Sequence, residues 1–339
     1  MERTLLRVML VVGIIGASFA VALPASAQVI VVLPGESIHQ AVKTAQPGDT
    51  IQLSAGVYED VVAVKTNGIT IQGVGSDTNG TILRPPATLP GRCFRGIAGI
   101  CILGNFQDGI PVEGVTITGI RAEGFIAAGI IGVLTSNTTF EGNAGIGSQE
   151  YGLAAFESTG VTMRNNTASG NGLAGFYIGD TRRARAVVEG NESFDNTYGL
   201  FLRDVSLGDV TGNQFHDNCI GILNLDTPGP VRAGRFTITE NTIEHNNAFC
   251  RSEGGGDGPS TAGSGIVIFG GRGNTIQGNV IARNRTSRSI PFHGGVVLVE
   301  HASNNIVTGN TLLRNRPNIF TDGSGSGNQV SGNTCTPGC

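Results

Sequence analysis

Residues 213–222, NQFHDNCIGI, decide the fold, because their frame of two asparagines five residues apart, followed by a glycine and an aliphatic residue, recurs along the chain. The first asparagines of six copies are Asn166, Asn191, Asn213, Asn241, Asn279 and Asn310, and the second ones are Asn171, Asn196, Asn218, Asn246, Asn284 and Asn315. Successive copies begin between 22 and 38 residues apart. A fixed frame with loops of variable length predicts a solenoid.

The segments between the asparagine pairs predict short β-strands. Residues 236–239 (FTIT), 274–277 (NTIQ) and 305–308 (NIVT) alternate apolar and polar side chains and are bounded by Gly and Asn. Parallel coils stacked at about 4.8 Å place equivalent side chains above one another, so an asparagine in every coil predicts an internal ladder of amide hydrogen bonds. Asparagine also tolerates the left-handed backbone that tight bends between strands require.

The first residues predict export. Arg3 and Arg7 precede an apolar run over residues 8–23, and Ala25-Ser26-Ala27 forms a small-residue cleavage site before Gln28. This pattern predicts a secretory signal peptide over residues 1–27. The alternative is an uncleaved membrane anchor, but the run is shorter than the ~20 residues of a full span.

The composition excludes some classes of partner. The net charge is -4, charged residues make up 14% of the chain, Gly numbers 53 and Trp is absent. A nucleic-acid-binding protein requires a basic stripe, which this chain lacks. The sequence therefore predicts one exported β domain over residues 28–339, which grows by adding coils and needs no second core.

The six cysteines favour disulfides, since their number is even and the chain is predicted to be exported. Cys93 and Cys101 are close in sequence, as are Cys335 and Cys339. Cys219 and Cys250 follow the second asparagine of successive copies and could meet across one layer. The alternatives are buried free thiols or a metal site.

Residues 37–45 predict a short amphipathic helix. Ile38, Ala41, Val42 and Ala45 share one helical face, and Ser37 is available as the N-cap. Such a helix would cover the open core and the strand edges of the first coil, so we assign residues 28–60 to an N-terminal cap and the first strands.

The run SIHQAVKTAQPGDTIQLSAGVYED at residues 37–60, followed by GITIQG at residues 68–73, resembles the N-terminal segment of the pectin-lyase-like superfamily of right-handed parallel β-helix proteins. The asparagine coils resemble the repeats of that superfamily, so the resemblance covers nearly all of the mature chain. It implies an all-β, right-handed parallel β-helix of about ten coils with an N-terminal cap helix. It leaves the activity open, because the superfamily includes pectate lyases, polygalacturonases, alginate epimerases, phage tailspikes and periplasmic copper-maturation proteins.

The catalytic patterns of these enzymes are missing. A polygalacturonase would require Asn-Thr-Asp, Asp-Asp and Gly-His-Gly, an alginate epimerase Asp-Pro-His-Asp, and a pectate lyase Arg-x-Pro-x-x-Arg, and the chain contains none of them. Copper maturation favours Met and His ligands, whereas Met163 is the only methionine after residue 27.

The strands that follow the repeated glycine predict an outward apolar column. The second residue after the glycine should point away from the core, as in Tyr177, Phe201, Leu223, Val267 and Val297. An outward apolar stripe with two aromatic residues indicates either a platform for sugar stacking or a surface covered by a loop.

Five residues after the same glycines, acidic side chains form a second column. Its members are Glu157, Asp180, Asp204, Asp226 and Glu300, with Gly270 as the one break. Carboxylates at coil spacing repel one another unless cations lie among them. The column could bind Ca²⁺, hold an acid/base pair for glycosidic chemistry, or mark solvated strand ends where Asp favours a turn.

A third column of ionisable residues precedes the second asparagine. It contains Asp195, Asp217, His245, Arg283 and Arg314, with His216 and Glu244 beside it. These groups could hold a metal or transfer protons, or they could be solvated turn residues.

The longest insertions, residues 248–264 and 285–293, precede the glycine strands and should rise on one edge of that face to form the wall of a cleft.

We therefore predict that the glycine-strand face binds or processes a polysaccharide or cell-surface glycan, as a lyase or a hydrolase. The alternatives are a non-catalytic binding or surface scaffold and a periplasmic copper-maturation protein. The cofactor is unknown, Ca²⁺ is left open, no metal ligand set is assigned, and no nucleic acid or membrane partner is expected. The catalytic candidates are Asp180, Arg203, Asp204 and Asp226, and the substrate-binding candidates are Tyr177, Phe201, Arg182, Arg183, His293 and Glu300.

Overall fold

The computed structural model describes residues 26–251 and 260–339. The predicted signal peptide lies outside these residues, apart from its last two positions, and so does part of the insertion at 248–264. No helix among the described residues is long and apolar enough to cross a membrane.

Three parallel sheets run along the solenoid, and each coil contributes one strand to each sheet. Sheet A contains Val29–Val32, Thr50–Leu53, Thr70–Gln72, Thr116–Thr118, Thr139–Glu141, Thr162–Arg164, Ala186–Glu189, the second half of Tyr198–Thr211, Gly234–Thr239, Thr275–Gln277, Ile306–Thr308 and Gln329–Ser331. Sheet B contains Gly56–Glu59, Thr81–Arg84, Ile120–Glu123, Ala144–Ile146, Thr167–Ser169, Glu192–Phe194, Gln214–His216, Thr242–Glu244, Val280–Ala282, Thr311–Leu313 and Thr334–Thr336. Sheet C contains Val62–Val64, Ala98–Leu103, Ala128–Val133, Tyr151–Phe156, Ala174–Thr181, the first half of Tyr198–Thr211, Ile220–Leu225, Ser264–Phe269, Gly294–Val299 and Ile319–Thr321. A short pair, Val112–Glu113 and Thr135–Ser136, lies apart from them.

The architecture is the predicted parallel β-helix. Within the described residues sheet B has eleven strands, in agreement with the expected number of coils. The core fills the space between the sheets, as shown by Ile276 from sheet A, Phe215 from sheet B and Ile222 from sheet C, which are all fully buried.

The asparagines form the predicted ladder inside the coils. The side-chain Nδ2 of Asn191 donates to Oδ1 of Asn213 at 2.9 Å, and Nδ2 of Asn213 donates to Oδ1 of Asn241 at 2.9 Å. The second asparagines are joined in the same way, as in Asn218 Nδ2 to Asn246 Oδ1 at 3.0 Å. Each buried amide is thereby satisfied by the next coil, which avoids the cost of leaving it unpaired.

The bends between strands are built on residues with a left-handed backbone. Such residues at the bend from sheet C to sheet A are Leu134, Glu157, Asp180, Asp204, Gly270 and Glu300, and those at the bend from sheet B to sheet C are Gly124, Gly147, Gly170, Asp195, Asp217, His245, Arg283 and Arg314. The two charged columns of the sequence lie at these bends, together with the glycines and Leu134 of other coils, and Asp226 is the one column member whose φ is not positive. The columns therefore mark bends, where Gly, Asn and Asp adopt a positive φ at the lowest cost.

The repeated glycine of sheet C is required by close packing inside the coil. A Cβ on Gly221 would lie 2.5 Å from Cγ2 of Ile243 and 2.8 Å from the carbonyl oxygen of Gly265. Because both neighbours belong to the packed interior, the coils from Gly99 to Gly295 all have a glycine at this point, whereas the first and last strands of sheet C have Val61 and Asn318 there.

The cap helix spans Ile38–Thr44, and its N-cap Ser37 accepts a hydrogen bond from the Gln40 amide at 3.3 Å. Ile38 and Val42 are buried against the first coil, as predicted. A second helical segment, Arg92–Gly96, contains the left-handed residues Cys93, Phe94 and Arg95.

All three expected disulfides are present. They join Cys93 to Cys101, Cys219 to Cys250 and Cys335 to Cys339. The bond between Cys219 and Cys250 ties the start of one strand of sheet C to the insertion that follows in the next coil.

Candidate functional site

The outward apolar column lies on the outer face of sheet C, in the predicted register. Tyr177 pairs with Phe201, Phe201 with Leu223, Leu223 with Val267, and Val267 with Val297. The column is nevertheless covered, since Tyr177 is 1% exposed, Phe201 6% and Val297 0%. Tyr177 and Phe201 therefore do not form an open platform of their own.

In the middle coils, other aromatic rings cover the column. The Tyr177 ring stacks on Phe156 at a centroid distance of 4.4 Å, and Tyr151 lies 4.9 Å away. On its other side Phe201 lies at 5.4 Å, and the Tyr198 ring lies 4.9 Å from that of Phe201. We call these five residues the aromatic cluster; the rings of Tyr151, Phe156 and Tyr198 are half-buried and form its outer surface.

The centre of the cluster is Tyr177, whose hydroxyl donates a hydrogen bond to Oδ2 of Asp180 at 3.1 Å. Its ring lies over Gly179, where an added Cβ would come within 2.5 Å of the ring carbon Cζ. Glycine at this position thus leaves the space that the ring occupies. Burial, and then the negative charge of Asp180, raise the pKa of the Tyr177 phenol far above its ordinary value.

Charged side chains surround the cluster on its solvent side. Glu150 and Asp180 are exposed, and the Arg203 side chain is 37% exposed, with Nε 3.5 Å from Oδ2 of Asp204. Burial, followed by the charge of Glu150, raises the pKa of the Tyr151 phenol, while the Arg203 charge acts in the opposite direction. Partial desolvation of its carboxyl group also raises the pKa of Glu150, although the residue as a whole is exposed. Phenols, carboxylates and a guanidinium thus border the outer face of sheet C, with Glu150 at the start of its strand and Asp180 and Arg203 at the opposite end of theirs.

Asp204 and Asp226 have structural partners. Oδ1 of Asp204 accepts the Thr227 amide at 2.7 Å and Oδ2 accepts the Thr227 hydroxyl at 2.6 Å. Asp226, whose side chain is 4% exposed, accepts the Ala233 amide at 2.8 Å and pairs with Arg232 at 3.1 Å. Both carboxylates hold the turns from sheet C to sheet A, whereas Asp180 faces solvent.

The remaining candidates are spread along the solenoid. Arg182 and Arg183 are exposed in the turn directly after Asp180. His293 lies just before strand Gly294–Val299, half-buried, and burial lowers its pKa. The Glu300 amide donates to Oδ2 of Asp322 at 2.8 Å. His293 and Glu300 thus belong to a coil three layers beyond that of Phe201 and do not join the aromatic cluster.

The insertion at 285–293 covers the later coils of sheet C. Its Phe292 packs on Phe269 at a centroid distance of 5.9 Å, and Arg288 lies 4.1 Å above the Phe249 ring. The insertion that was expected to form the wall of a cleft therefore packs on the outer face of the sheet in this region.

A second ionic group occupies the outer face of sheet B. Nδ1 of His216 lies 2.8 Å from Asp217 and Nε2 lies 3.3 Å from Glu192, while the ring stacks on Phe194. Two acidic partners raise the pKa of His216, against the effect of burial. In the neighbouring coil Glu244 lies 3.4 Å from Arg283 and 3.6 Å from His245.

In the described part of the chain, no group of three or more His, Cys, Asp and Glu side chains is placed to hold a metal ion. Met163 is fully buried in the core.

A family model for the right handed beta helix region matches residues 67–231 and 231–338. The chain belongs to the right-handed β-helix family. The resemblance seen in the N-terminal residues and the repeats is thus confirmed, and no curated protein matches the chain by sequence.

Several solved structures share this β-helix. The A-module of the mannuronan C-5 epimerase AlgE4 of Azotobacter vinelandii is 18% identical, covers 87% of this chain and 90% of its own, and has a TM-score of 0.59. The DFA-IIIase of Arthrobacter chlorophenolicus A6, without its lid and in complex with GF2, is 15% identical over 89% of this chain and 86% of its own, with a TM-score of 0.62. The alginate lyase of Paenibacillus sp. str. FPU-7 is 16% identical over 91% and 99%, with a TM-score of 0.55. Identities this low show a common fold.

Sequence reasoning missed Glu150, Tyr151, Phe156 and Tyr198, which form much of the solvent side of the cluster. Tyr151 and Tyr198 each stand one residue before the repeated glycine, at positions paired through Ala174 in the β-helix register. Aligning the residue before the glycine would have found both. Phe156 lies in the column of Gly179 and Arg203, whose mixed composition gives no signal.

Proposed function

We propose that this β-helix protein binds a polysaccharide on the outer face of sheet C and processes it at the aromatic cluster. The observation that carries the proposal is the half-buried Tyr151, whose phenol senses the charges of Glu150, Asp180 and Arg203 on the outer face of sheet C. Aromatic rings supply apolar area for the faces of sugar rings, and their hydroxyls supply hydrogen bonds. Tyr151, Phe156 and Tyr198 are the rings that a ligand can reach.

The chemistry that fits these groups best is an elimination on a uronic acid residue. Arg203 would bind the sugar carboxylate and stabilise the charge that develops on it, since a guanidinium matches a carboxylate with two hydrogen bonds. Asp180 would take the proton from the carbon next to that carboxylate. The bond from the neighbouring ring carbon to the glycosidic oxygen would break, a carbon–carbon double bond would form, and the Tyr151 phenol would give its proton to the leaving oxygen.

Glu150 and Asp180 lie at opposite ends of neighbouring strands of sheet C, roughly 20 Å apart along the strand direction, which is too far for two carboxyl groups that act on one glycosidic bond. Hydrolysis with Glu150 as the general acid is the second enzymatic candidate. The raised pKa of Glu150 favours it, because a general acid must be protonated when it acts. Asp204 and Asp226 are less suited to either reaction, because their oxygens already accept hydrogen bonds from the turns.

A non-catalytic binding protein is favoured by the burial of Tyr177, which supports the outer rings and does not reach a ligand itself. In that case the same surface binds the glycan and no bond is broken.

The test is to incubate the full chain with a panel of polyuronates and neutral polysaccharides and to follow unsaturated products by absorbance and new reducing ends by assay. Elimination predicts unsaturated products with polyuronates, lost in Arg203→Ala and Tyr151→Phe but retained in Arg164→Ala, a surface arginine paired with Glu189 on sheet A. Reducing ends without unsaturation would select hydrolysis. Glycan binding without any product would support the non-catalytic binding protein. The absence of both binding and turnover would reject the aromatic cluster as a glycan site.

We also propose that the protein is exported to an oxidising compartment, which the three disulfides support. N-terminal sequencing of the protein from cell fractions should give Gln28 as the first residue outside the cytoplasm. Full-length chain retained in the cytoplasm would reject this proposal.

A further inference from the structure

Two arginines end the column of residues that directly follows the second asparagine ladder. Arg285 follows Asn284, and Arg316 follows Asn315. The two asparagines are ladder partners, with Asn284 Nδ2 donating to Asn315 Oδ1 at 3.0 Å, and the Arg316 amide donates to the Asn284 carbonyl at 3.2 Å. Arg285 and Arg316 therefore lie in adjacent coils, with backbones about 5 Å apart.

Both side chains are exposed, and neither has a carboxylate within the 4.0 Å ion-pair distance among residues 26–251 and 260–339. The neighbouring column contains Glu244, but that carboxylate is paired with Arg283. Two cations at coil spacing repel each other, and an anion between them would remove this repulsion.

The two arginines line a depression of about 400 Å³ together with Asn247, Thr286 and Ser287. Oδ1 of Asn247 accepts the Arg285 amide at 2.7 Å, so its Nδ2 is the group that remains to face a ligand. The lining thus offers two guanidinium groups, one amide and two hydroxyls, and among residues 26–251 and 260–339 no acidic or aromatic side chain contributes to it.

We infer that this depression, at the corner between sheets B and C, binds a tetrahedral oxyanion, the sulfate or phosphate ester of an anionic polysaccharide. Donors from two coils and from the loop converge on one small volume, which suits an ion with oxygens in several directions. A planar carboxylate can be satisfied by a single guanidinium.

A nucleic acid fits the depression less well. Binding of single strands relies on aromatic side chains that stack on the bases, and none of the described residues that line this depression is aromatic. The chain also has a net charge of -4, whereas duplex binding relies on an extended basic surface.

This site is separate from the aromatic cluster. It lies beside strands Val280–Ala282 and Thr311–Leu313 of sheet B, whereas the cluster lies on earlier strands of sheet C. The inference therefore stands whether or not the aromatic cluster processes a glycan.

The test is calorimetric titration of the full chain with dextran sulfate, unsulfated dextran, inorganic sulfate, inorganic phosphate and duplex DNA. We expect dextran sulfate to bind, dextran not to bind, and inorganic sulfate or phosphate to compete with dextran sulfate. Arg285→Ala and Arg316→Ala should each weaken binding by about tenfold or more, because each removes a charge-assisted contact. Arg316→Lys should lie between Arg316→Ala and the unchanged protein, because the charge remains and the planar fork is lost.

The control variant is Arg164→Ala, which removes the same charge from a distant, partly exposed position outside both sites. It should bind dextran sulfate as the unchanged protein does. A loss in Arg164→Ala equal to that in Arg285→Ala would indicate general charge attraction and overturn the inference. Binding of DNA as tight as that of dextran sulfate, with the same loss in both depression variants, would overturn the assignment to a polysaccharide. Circular dichroism and thermal melting verify that each variant is folded.

Discussion

The outer face of sheet C is covered in two different ways along the solenoid. In the middle coils, rings that belong to the sheet pack on one another around Tyr177, and exposed Glu150, Asp180 and Arg203 stand beside them. Two coils further on, a loop lies over the sheet, with Phe292 packed on Phe269. The same outward apolar column is buried in both regions, but in the first the covering rings and the charged groups beside them belong to the strands of the sheet and the bends next to them, whereas in the second they belong to the loop.

The largest expected effect on stability comes from the centre of the aromatic cluster. Tyr177→Ala removes a ring that is 1% exposed and packed on three others, so we expect the free energy of unfolding to fall by about 3–5 kcal/mol. Denaturant melts measure it. A loss below that of the loop variant described next would mean that the rings do not support this part of the sheet.

A smaller effect is expected where the loop covers the sheet. Phe292→Ala removes a half-buried ring and uncovers the face near Val267 and Val297, and we expect a loss of about 1–2 kcal/mol. Binding of a dye that reports exposed apolar surface should increase, whereas glycan binding at the aromatic cluster should not change. An unchanged dye signal would show that the loop is not the cover.

The sequence predicted the interior of this protein better than its surface. Asn213 and Asn218 sit in a frame whose spacing alone specifies the ladder, and Ser37 marks the start of the cap helix, because these signals are local or strictly periodic. The covering of Tyr177 depends on Tyr151 and Phe156, which belong to the preceding coil and approach it only through the register.

The charged columns illustrate the same limit. Asp204 and Glu300 recur at one offset because the bend requires a left-handed residue, and the sequence does not distinguish that reason from a row of catalytic acids. What separates Asp180 from Asp204 is the partner that each carboxylate finds, a tyrosine hydroxyl in one case and the Thr227 backbone and side chain in the other. Such partners come from residues whose contacts no periodicity encodes.

A third prediction concerns alkaline pH. Burial raises the pKa of Tyr151, Tyr177 and Tyr198 above the value of about 10 for a free phenol. The protonated phenols therefore stabilise the folded state fully below about pH 10. This contribution to the free energy of unfolding is lost as the pH rises further, because the phenols of the unfolded chain release their protons first.

Tyr177→Phe tests this dependence. At neutral pH it should cost about 1 kcal/mol, the value of the hydrogen bond to Asp180. Above about pH 10 its melting temperature should fall less steeply than that of the unchanged protein, because one of the phenols with a raised pKa is gone. Phe292→Ala serves as the control and should keep the original steepness. Parallel pH profiles for Tyr177→Phe and the unchanged protein would contradict the burial of this phenol.

The smallest effect on stability, and the sharpest separation of the two regions, is expected from a pair of carboxylates on the same bend. Asp180 and Glu300 are both exposed and both have a positive φ, at 61° and 53°, but Asp180 borders the aromatic cluster and Glu300 borders the loop-covered coils. Asp180→Asn keeps a residue that tolerates the left-handed backbone, and Glu300→Gln keeps the shape of its side chain, so each should change the free energy of unfolding by no more than ~0.5 kcal/mol. Glycan turnover, or binding if no turnover exists, should be lost in Asp180→Asn and retained in Glu300→Gln, as measured on the polysaccharide panel with both variants at equal concentration. Equal losses in the two variants would extend the site over the whole sheet face, and a loss in Glu300→Gln alone would place it under the loop.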